Sequence, residues 1–467
     1  MELQRPKLSD NNHNRFSDLP ESVILHIFSF MDTIDVVRAS AVATNWRYLW
    51  TKIPRLIFHY NRFCGTRNRD DMEFKDLINW VLMAHDKSVS IQSFRLSCLG
   101  DHWIYRWMNI LAQKHVRQLH LEVTGLTETT PFVLPRYLIA SDSLEILELR
   151  FHECDTVVKI PSHVGFSRLK SLTLEDTRLL DQVLFQNFIS SCPLLETLIL
   201  RQCQFHDFKV LDISLRDLRK LVISIPSDQG LSECEIKIAC QKLEQFYFLG
   251  SLAKNISWDK NPSFLQAASI FAWVWDGDFV PNEEFADHVS KILRGVSHAE
   301  VLHLGMCILT YTYPAVSKPE CLTTFYNLKV VAVSIRTFEC YILPLIYLMK
   351  CAPNLERLSM LIDEYEEPAS HYVLEIPDEA IECHLKRVKL IDVGYDNDNE
   401  LELIRFFLEN GHVLEEMSII SKNRLEPETK REYIQEVMRF PPSSSYVTVT
   451  FSEPKQDGWG ELGVLDY

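Results

Sequence analysis

The stretch Leu144-Glu145-Ile146-Leu147-Glu148-Leu149 holds the pattern that decides the fold of this 467-residue chain. Its leucines occupy the first, fourth and sixth positions, and the same spacing of apolar residues returns about every 22 to 34 residues. The other copies lie at Leu119-Leu121, Leu169-Leu172-Leu174, Leu195-Leu198-Leu200, Leu218-Leu221-Ile223, Leu243-Phe246-Phe248, Leu265-Ala268-Ile270, Ala299-Leu302-Leu304, Leu328-Val331-Val333, Leu355-Leu358-Met360, Leu385-Val388-Leu390 and Leu414-Met417-Ile419. A spacing that returns this often is typical of a repeat protein.

Each copy ends in an alternation of apolar residues, which predicts a short strand whose leucines point into the core. Runs with helical spacing lie between copies, at residues 180–189, 285–293 and 403–408. The sequence therefore predicts an α/β fold, an irregular leucine-rich-repeat solenoid with parallel strands and one strand and one helix per repeat. Because each repeat is too small to bury its own apolar face, stability comes from stacking, and the end repeats need covers.

A second informative stretch lies near the start of the chain. It reads Leu-Pro-Glu-Ser-Val-Ile-Leu-His-Ile-Phe-Ser-Phe-Met-Asp over residues 19–32 and Asn-Trp-Arg-Tyr-Leu-Trp over residues 45–50. Pro20 and Glu21 predict the start of a helix that runs to about Met31, and Asp32 or Thr33 would cap a second helix that runs through Val42.

The first of these helices is apolar over most of its circumference and needs neighbours on two sides. A segment of about 45 residues rarely buries a sufficient core alone, so we expect a partner protein to cover part of it. The alternative is that these residues only cap the repeats that follow.

Phe16 to Trp50 resembles the F-box, a three-helix module that binds the Skp-type adaptor of Skp-cullin-F-box ubiquitin ligases. The resemblance rests on Leu-Pro-x-x-Val-Ile-Leu-x-Ile-Phe-Ser-Phe, on Asp35, and on Val42 with Trp46-Arg47; residues 43–45 and Met31 depart from the family pattern. It implies partners, namely the adaptor and through it cullin and RING subunits. It also implies an adaptor-binding surface formed or supported by Leu19, Pro20, Ile24, Ile27, Val42 and Trp46.

Residues 376–451 resemble the FBD region of plant F-box proteins with leucine-rich repeats. The resemblance rests on His384-Leu385-Lys386-Arg387-Val388-Lys389-Leu390, on residues 402–410 and 413–417, and on Ser443-Ser444-Ser445. The whole chain is thus similar to the plant F-box/FBD/leucine-rich-repeat family. The predicted organisation is a disordered tail over residues 1–15, the F-box over 16–60, the repeat solenoid over 61–375, the FBD region continuing it over 376–451, and a C-terminal tail over 452–467.

The composition excludes several other classes of protein. A content of 46% apolar and 24% charged residues is that of a folded chain, and a formal net charge of -16 argues against nucleic acid or an anionic membrane as a partner. Neither a secretion signal nor an apolar run of membrane-spanning length is evident. The 12 cysteines form no Cys-x-x-Cys pair, which favours reduced, buried thiols. We therefore expect a protein of the cytoplasm, the nucleus or both.

The residues between and after the last two apolar positions of each copy are expected to face the concave surface of the solenoid, where clients of such proteins bind. This row is charged at first and apolar and aromatic in its middle: His120, Glu122, Glu148, Arg150, Thr173, Glu175, Ile199, Arg201, Val222, Ser224, Tyr247, Leu249, Phe271, Trp273 and His303. Since aromatic and arginine side chains dominate interfaces, we expect Arg201, Tyr247, Phe271 and Trp273 to hold a client. The alternative is a register shifted by one residue, which would turn Phe271, Trp273 and Trp275 into the core.

Two stretches look like cofactor-binding or metal-binding motifs, but each has a simpler interpretation. Residues 458–463 spell G-x-G-x-x-G, which needs a strand before it and a helix after it, and we interpret it as tail composition. Asp396, Asp398 and Glu400 lack the glycine of a calcium loop. We therefore expect no metal, no cofactor and no catalytic residue, and we predict a non-catalytic substrate-recognition subunit of a ubiquitin ligase. The alternatives are a repeat scaffold that binds no adaptor and a small-molecule sensor that uses the solenoid cavity.

Overall fold

The computed structural model describes residues 19–64, 70–100, 102–125, 131–152, 156–162, 165–226, 234–251, 255–259, 261–273, 283–310, 323–336, 342–363, 384–393, 398–421 and 427–453. The chain divides into two compact units. Residues 1–178 and 187–194 belong to the first unit, and residues 179–186 and 195–467 belong to the second. The predicted N-terminal tail and most of the predicted C-terminal tail lie outside the described residues.

The first unit contains strands and helices in alternation. Its strands are β1 (Arg55–His59), β2 (Ser93–Leu99), β3 (Gln118–Thr124), β4 (Phe132–Val133), β5 (Ile146–Phe151), β6 (Thr156–Lys159), β7 (Ser171–Glu175) and β8 (Thr177–Leu179), which ends at the boundary of the unit. Its helices are α1 (Glu21–Phe28), α2 (Thr33–Ala39), α3 (Tyr60–Cys64), α4 (Asp71–Ala84), α5 (Trp103–Gln113) and α6 (Arg136–Ile139), with short 3-10 helices at Thr44–Trp46 and Leu49–Lys52.

A parallel sheet holds the core of the first unit. Its strands pair in the order β1, β2, β3, β5 and β7. The register places Leu119 beside Leu147 and Leu147 beside Leu172, and all three side chains are fully buried. Corresponding leucines of successive repeats therefore lie in rows, so each repeat covers the apolar face of its neighbour.

The N-terminal helical segment is more broken than its sequence predicts. The first helix ends at Phe28, before Met31, and the second ends at Ala39, before Val42. The hydroxyl groups of Ser29 and Ser40 donate to the carbonyls of His26 and Val37, both at 2.6 Å, and such local bonds compete with continuation of a helix. The predicted third helix is two 3-10 turns.

The second unit continues the alternation. Its strands are β9 (Thr197–Arg201), β10 (Gln204–Phe205), β11 (Val210–Ile213), β12 (Lys220–Ser224), β13 (Glu235–Ile238), β14 (Gln245–Ser251), β15 (Asn255–Trp258), β16 (Leu265–Trp273), β17 (Ala299–Leu304), β18 (Val330–Arg336), β19 (Arg357–Asp363), β20 (Arg387–Val393), β21 (Glu416–Ser421) and β22 (Thr448–Ser452). Its helices are α8 (Glu283–Gly295), α9 (Met306–Thr310), α10 (Ile342–Lys350), α11 (Asp398–Asn410) and α12 (Pro427–Val437), while α7 (Gln182–Ser190) is divided between the two units.

The sheet of the second unit is parallel throughout, in the order β9, β12, β14, β16, β17, β18, β19, β20, β21 and β22. One continuous row of core residues crosses it: Leu198, Leu221, Phe246, Ala268, Leu302, Val331, Leu358, Val388, Met417 and Val449. The predicted strands are all present, and the predicted α/β fold of a helical N-terminal segment followed by parallel repeats is confirmed.

The segments that return from one parallel strand to the next differ from the prediction of one helix per repeat. Helices occupy the three predicted runs, as α7, α8 and α11. In other repeats the return contains a short strand. These strands pair in parallel, β4 with β6 and β6 with β8, and β11 with β13 and β13 with β15. Their sequences, such as Thr-Val-Val-Lys and Glu-Ile-Lys-Ile, are rich in β-branched residues, which favour strands.

The cysteines of the described residues are free thiols, and most are buried. The thiol of Cys192 donates to the carbonyl oxygen of Phe188 at 3.3 Å, and the thiol of Cys240 donates to that of Ile213 at 3.2 Å. Burial raises the pKa of Cys192, Cys234 and Cys240 to about 11. These thiols fill the core and saturate backbone carbonyls, as predicted.

Gly295, the last residue of α8, lies against the indole of Trp258 on β15. A Cβ atom at this position would lie 1.9 Å from Trp258 Nε1, far inside contact distance. Phe246 also packs against the indole, edge to face, with ring centroids 5.2 Å apart. The helix can therefore pack on β15 only because residue 295 has no side chain.

We predict that Gly295→Ala destabilises the protein by about 1–3 kcal/mol through overpacking, although alanine in a helix is normally more favourable than glycine by about 1 kcal/mol. Thermal unfolding of the full chain measures the effect. Trp258→Phe provides the matched background, because the smaller ring leaves space for the new methyl group. An equal loss of stability from Gly295→Ala in both backgrounds would show that the indole is not the cause.

Candidate functional site

Large apolar side chains are exposed on the N-terminal helical segment. The exposed fractions are 41% for Val23, 43% for Ile27, 74% for Phe30, 59% for Val42 and 70% for Tyr48. Val23, Ile27 and Phe30 are spaced by four and three residues, which places them on one face of α1 and the turn after it. Apolar surface of this kind on a soluble protein marks a contact site.

Other apolar residues of this segment form its core. Ile24 and Phe28 are 1% exposed and Trp46 is 7% exposed. The ring of Phe28 meets that of Trp46 edge to face, with centroids 5.7 Å apart. Trp50 stacks on Trp80 of α4 at 4.6 Å. These contacts fix the helices, so the exposed side chains are presented on a supported framework.

Polar contacts tie the same segment to the first strand. The hydroxyl of Thr33, which is fully buried, accepts a hydrogen bond of 2.7 Å from the backbone N–H of Ile57 on β1. The Asp32 carboxylate pairs with Arg62 of α3, and the Lys52 ammonium donates to Glu21 at 2.9 Å. The helical segment and the first repeats are therefore joined by buried and surface contacts alike.

The six residues predicted for the adaptor surface separate into two groups. Pro20, Ile27 and Val42 are exposed and Leu19 is half-buried, whereas Ile24 and Trp46 lie in the core and can only support the surface. Sequence reasoning missed Val23, Phe30 and Tyr48. The helical spacing of residues 23, 27 and 30 was the available signal, because those positions share a face.

A second candidate surface is the face of each sheet that points away from the leucine core, which we call the open face. In the first unit it carries a charged network. The Glu148 carboxylate contacts both His120 and Arg150, and Arg150 Nε lies 3.2 Å from a carboxylate oxygen of Glu175. The hydrogen bond from His120, together with the positive charge of Arg150, lowers the pKa of Glu148 to about 2. The charged part of the predicted row is therefore brought together.

The open face of the second unit is more buried than the sequence predicts. Val222 pairs in register with Tyr247, Tyr247 with Ser269, and Ser269 with His303, and these side chains are all less than 5% exposed. Neighbouring residues of parallel strands crowd a face that carries large side chains. The ring of Tyr247 lies 5.3 Å from the Lys220 ammonium, so Tyr247 supports the face rather than standing out from it.

The register of β16 agrees with the first interpretation of this strand. Ile270 and Ala272 lie on the core side and are buried, while Phe271 pairs with Leu249 on the open face and is half-buried. The alternative register, with Phe271 in the core, is therefore wrong. Arg201 is also half-buried on the open face, the side chain of Trp273 lies outside the described residues, and client binding by these residues stays a prediction.

His303 is a buried polar residue of this face. Its Nδ1 lies 2.9 Å from the hydroxyl oxygen of Ser269, and its Nε2 has no hydrogen-bond partner among the described residues. Burial lowers the pKa of His303 to about 4, so the imidazole is neutral at physiological pH. Within the described part of the chain, we find no group of three or more His, Cys, Asp or Glu side chains placed to hold a metal ion.

Comparison with known protein families assigns these regions. Residues 16–58 match the F-box domain, residues 104–265 match the repeats described as "FBD-associated F-box protein At5g56370, LRR repeats", and residues 377–419 match the FBD. This chain contains an F-box, leucine-rich repeats and an FBD region. The exposed residues Val23, Ile27, Phe30, Val42 and Tyr48 thus lie within the F-box match. Strand β20 and part of β21 lie within the FBD match.

Individual relatives extend the similarity over most of the length of this chain. The F-box/FBD/LRR-repeat protein At1g78750 of Arabidopsis thaliana is 24% identical over 425 residues, which cover 88% of this chain and 91% of the relative. The F-box/LRR-repeat protein 13 of the same plant is 25% identical, with 86% and 88% covered. Among the described residues, no helix is long and apolar enough to cross a membrane.

Substitutions in the two groups of F-box residues should change stability by different amounts. Ile24→Ala removes a buried side chain and should cost about 2–5 kcal/mol, whereas Ile27→Ala on the same helix should change stability by less than about 0.5 kcal/mol because its side chain is exposed. Thermal unfolding of the two variants, compared with the unaltered chain, measures the difference. Equal losses would mean that Ile27 is packed as tightly as Ile24.

The charged network of the first unit predicts a dependence of stability on pH. Because the folded-state pKa of Glu148 is depressed to about 2, its stabilising effect is complete above its ordinary pKa of 4.5 and is lost as the pH falls from there towards 2. Glu148→Gln should therefore reduce stability near neutral pH by about 1–3 kcal/mol and make stability less sensitive to acid below pH 4.5.

Unfolding by urea at several pH values, with Glu122→Gln as the control, tests this prediction. Glu122 lies on the same open face but outside the network, because it is more exposed and its described ion pair is with His152. Parallel acid profiles for Glu148→Gln and the unaltered chain would contradict the prediction.

Proposed function

We propose that this protein is the substrate-recognition subunit of a Skp-cullin-F-box ubiquitin ligase. In this role the F-box binds a Skp-type adaptor, the adaptor connects it to cullin and RING subunits, and the open face of the repeats binds a client protein. The proposal places the protein in the cytoplasm, the nucleus or both.

The observation that carries this proposal is the set of exposed apolar residues on the F-box. Phe30 and Tyr48 are each at least 70% exposed, although aromatic side chains of this size are normally covered. The core contacts of Ile24, Phe28 and Trp46 hold the helices in place, so binding would require little reorganisation. An adaptor that covers this set would gain apolar burial without a large ordering cost.

The proposed contribution to ubiquitin transfer is proximity. A receptor that holds a client beside a conjugating enzyme raises the effective concentration of the reacting groups, and this needs no nucleophile in the receptor itself. We therefore propose a non-catalytic role. Half-buried Arg201 and Phe271 are the open-face residues of the second unit that we assign to client contact. Buried Tyr247 on the same face supports them, and Trp273 is a further candidate.

A pull-down with a purified Skp-type adaptor tests the proposal. We predict that Ile27→Asp and Val42→Asp, each of which places a charge in the exposed apolar set, lower adaptor recovery by about tenfold or more. Leu19→Ala/Pro20→Ala should lower it as well. The assay uses the full chain, and thermal unfolding confirms that each variant is folded.

The matched control is Val183→Asp on α7, because Val183 is 64% exposed and lies outside the F-box. It should leave adaptor recovery unchanged. Equal recovery of the adaptor by the unaltered chain and by the Ile27→Asp and Val42→Asp variants would remove the ligase assignment and leave a repeat scaffold.

A further inference from the structure

The open face of the second unit carries charge of mostly one sign. Among the residues of this face whose side chains the structure describes, five are cationic and one is a carboxylate: Arg201, Lys220, Arg357, Arg387, Lys389 and Glu416. The chain as a whole has a formal net charge of -16. A basic face on an acidic protein indicates selection for an anionic partner rather than average composition.

Three of these cations lie together on neighbouring strands. Arg357 of β19 pairs in register with Arg387 of β20, and Ser359 pairs with Lys389, so the two arginines are direct cross-strand neighbours and Lys389 follows two residues later. We call Arg357, Arg387 and Lys389 the basic cluster. Arg357 and Arg387 are exposed, and Arg357 makes no ion pair with the described residues. Like charges directly opposite each other destabilise a sheet, and an anion bound between them would relieve this repulsion.

The basic cluster stands on a well-packed part of the sheet. Leu361 and Ile391 lie two residues after the Ser359–Lys389 pair on the same strands and are 8% and 1% exposed. With Ala332 and Ile420 they form a buried apolar group. The side chains of this buried group cannot shift without disturbing the packing. The backbone positions of the three cations are therefore fixed before any partner binds, which reduces the ordering cost of binding.

A groove of about 380 Å³ adjoins the basic cluster at the edge where the strands begin. Its lining includes Glu356 and Lys386, the residues immediately before Arg357 and Arg387, together with Tyr326 and His384. The Lys386 ammonium already pairs with Glu356 at 3.5 Å, and that of Lys329 with Glu300 at 3.4 Å. The charges on the walls of the groove are thus largely paired, whereas Arg357 beside it forms no ion pair with the described residues.

The structure also indicates which kind of anion the basic cluster accepts. Arg387 Nε lies 3.6 Å from a carboxylate oxygen of Glu416 on β21, so one carboxylate is already bound at its border. The negative charge of Glu416 would repel a doubly charged phosphate more strongly than it repels a carboxylate. Two arginine forks side by side also match separate carboxylates on an extended chain.

We propose that the basic cluster binds a segment of the client protein rich in aspartate and glutamate. The carboxylates of the segment contact Arg357, Arg387 and Lys389, and its backbone continues into the groove beside Tyr326. This inference rests on the proposed function for the identity of the partner as a client, but the binding itself does not require the adaptor.

Fluorescence anisotropy with a labelled synthetic peptide of about eight alternating Asp and Glu residues, which is long enough to span the cluster and the groove, tests the proposal on the full chain. The acidic peptide should bind, and binding should weaken as salt is added. Arg357→Glu/Arg387→Glu should weaken it by about tenfold or more. Arg431→Glu, a charge reversal at an exposed position of α12, is the control and should leave binding unchanged.

Two further peptides test whether the basic cluster recognises carboxylates, amides or a phosphate. The same peptide with Asn and Gln in place of Asp and Glu should not bind. An otherwise uncharged peptide with a single phosphoserine should bind more weakly than the acidic peptide. Absence of acidic-peptide binding, equal loss in the Arg431→Glu control, or preference for the phosphopeptide would each overturn the proposal.

The adaptor pull-down keeps this test separate from the proposed function. Arg357→Glu/Arg387→Glu should recover the adaptor as well as the unaltered chain does, since neither residue lies in the F-box. Loss of peptide binding with normal adaptor recovery supports an acidic client site in a ligase receptor. Peptide binding by a chain that recovers no adaptor would retain the site and reject the ligase role.

Discussion

The whole structure depends on the alignment of apolar side chains across parallel strands. In the second unit one row of core residues passes from Leu198 through Phe246 and Leu302 to Met417 without a break in register. No single repeat buries its leucines, and each strand gains a dry environment only from the strands beside it. A slip by one residue would turn a whole row towards solvent, so the packing of the core also fixes which side chains reach the open face.

This coupling explains how much of the fold could be predicted. The strands were predictable because a buried row requires the same apolar spacing in every repeat, and the register at Ile270 and Phe271 followed from it. The return segments were less predictable, because a short run such as Thr-Val-Val-Lys can form a strand only if a neighbouring return pairs with it. The strands β1, β2 and β22 were missed, since their sequences carry only part of the pattern.

The candidate surfaces were predicted less well, for a related reason. An apolar pattern identifies residues that avoid water but does not tell which of them another element of the same chain covers. Ile24 and Trp46 are covered from within, whereas Phe30 and Tyr48 are not. On the open face, Tyr247 is buried by its neighbours although its position alternates correctly, because crowding between strands depends on side-chain volumes. The basic cluster was not predicted because Arg357 lies 30 or more residues before Arg387 and Lys389 in sequence and meets them only through strand pairing.

The two candidate surfaces differ in the forces they offer a partner. The F-box presents apolar area, whose burial supplies affinity, whereas the basic cluster presents charge, which mainly sets encounter rate and selectivity. One chain can in this way hold one partner persistently and exchange another quickly.

The thiols of the repeat core carry a consequence for redox chemistry. Oxidants and alkylating agents react with the thiolate, and a pKa of about 11 leaves on the order of one molecule in ten thousand ionised at pH 7. Cys192, Cys234 and Cys240 should therefore react very slowly with peroxide. The core packing around these three thiols would therefore persist under conditions that inactivate enzymes dependent on a reactive cysteine.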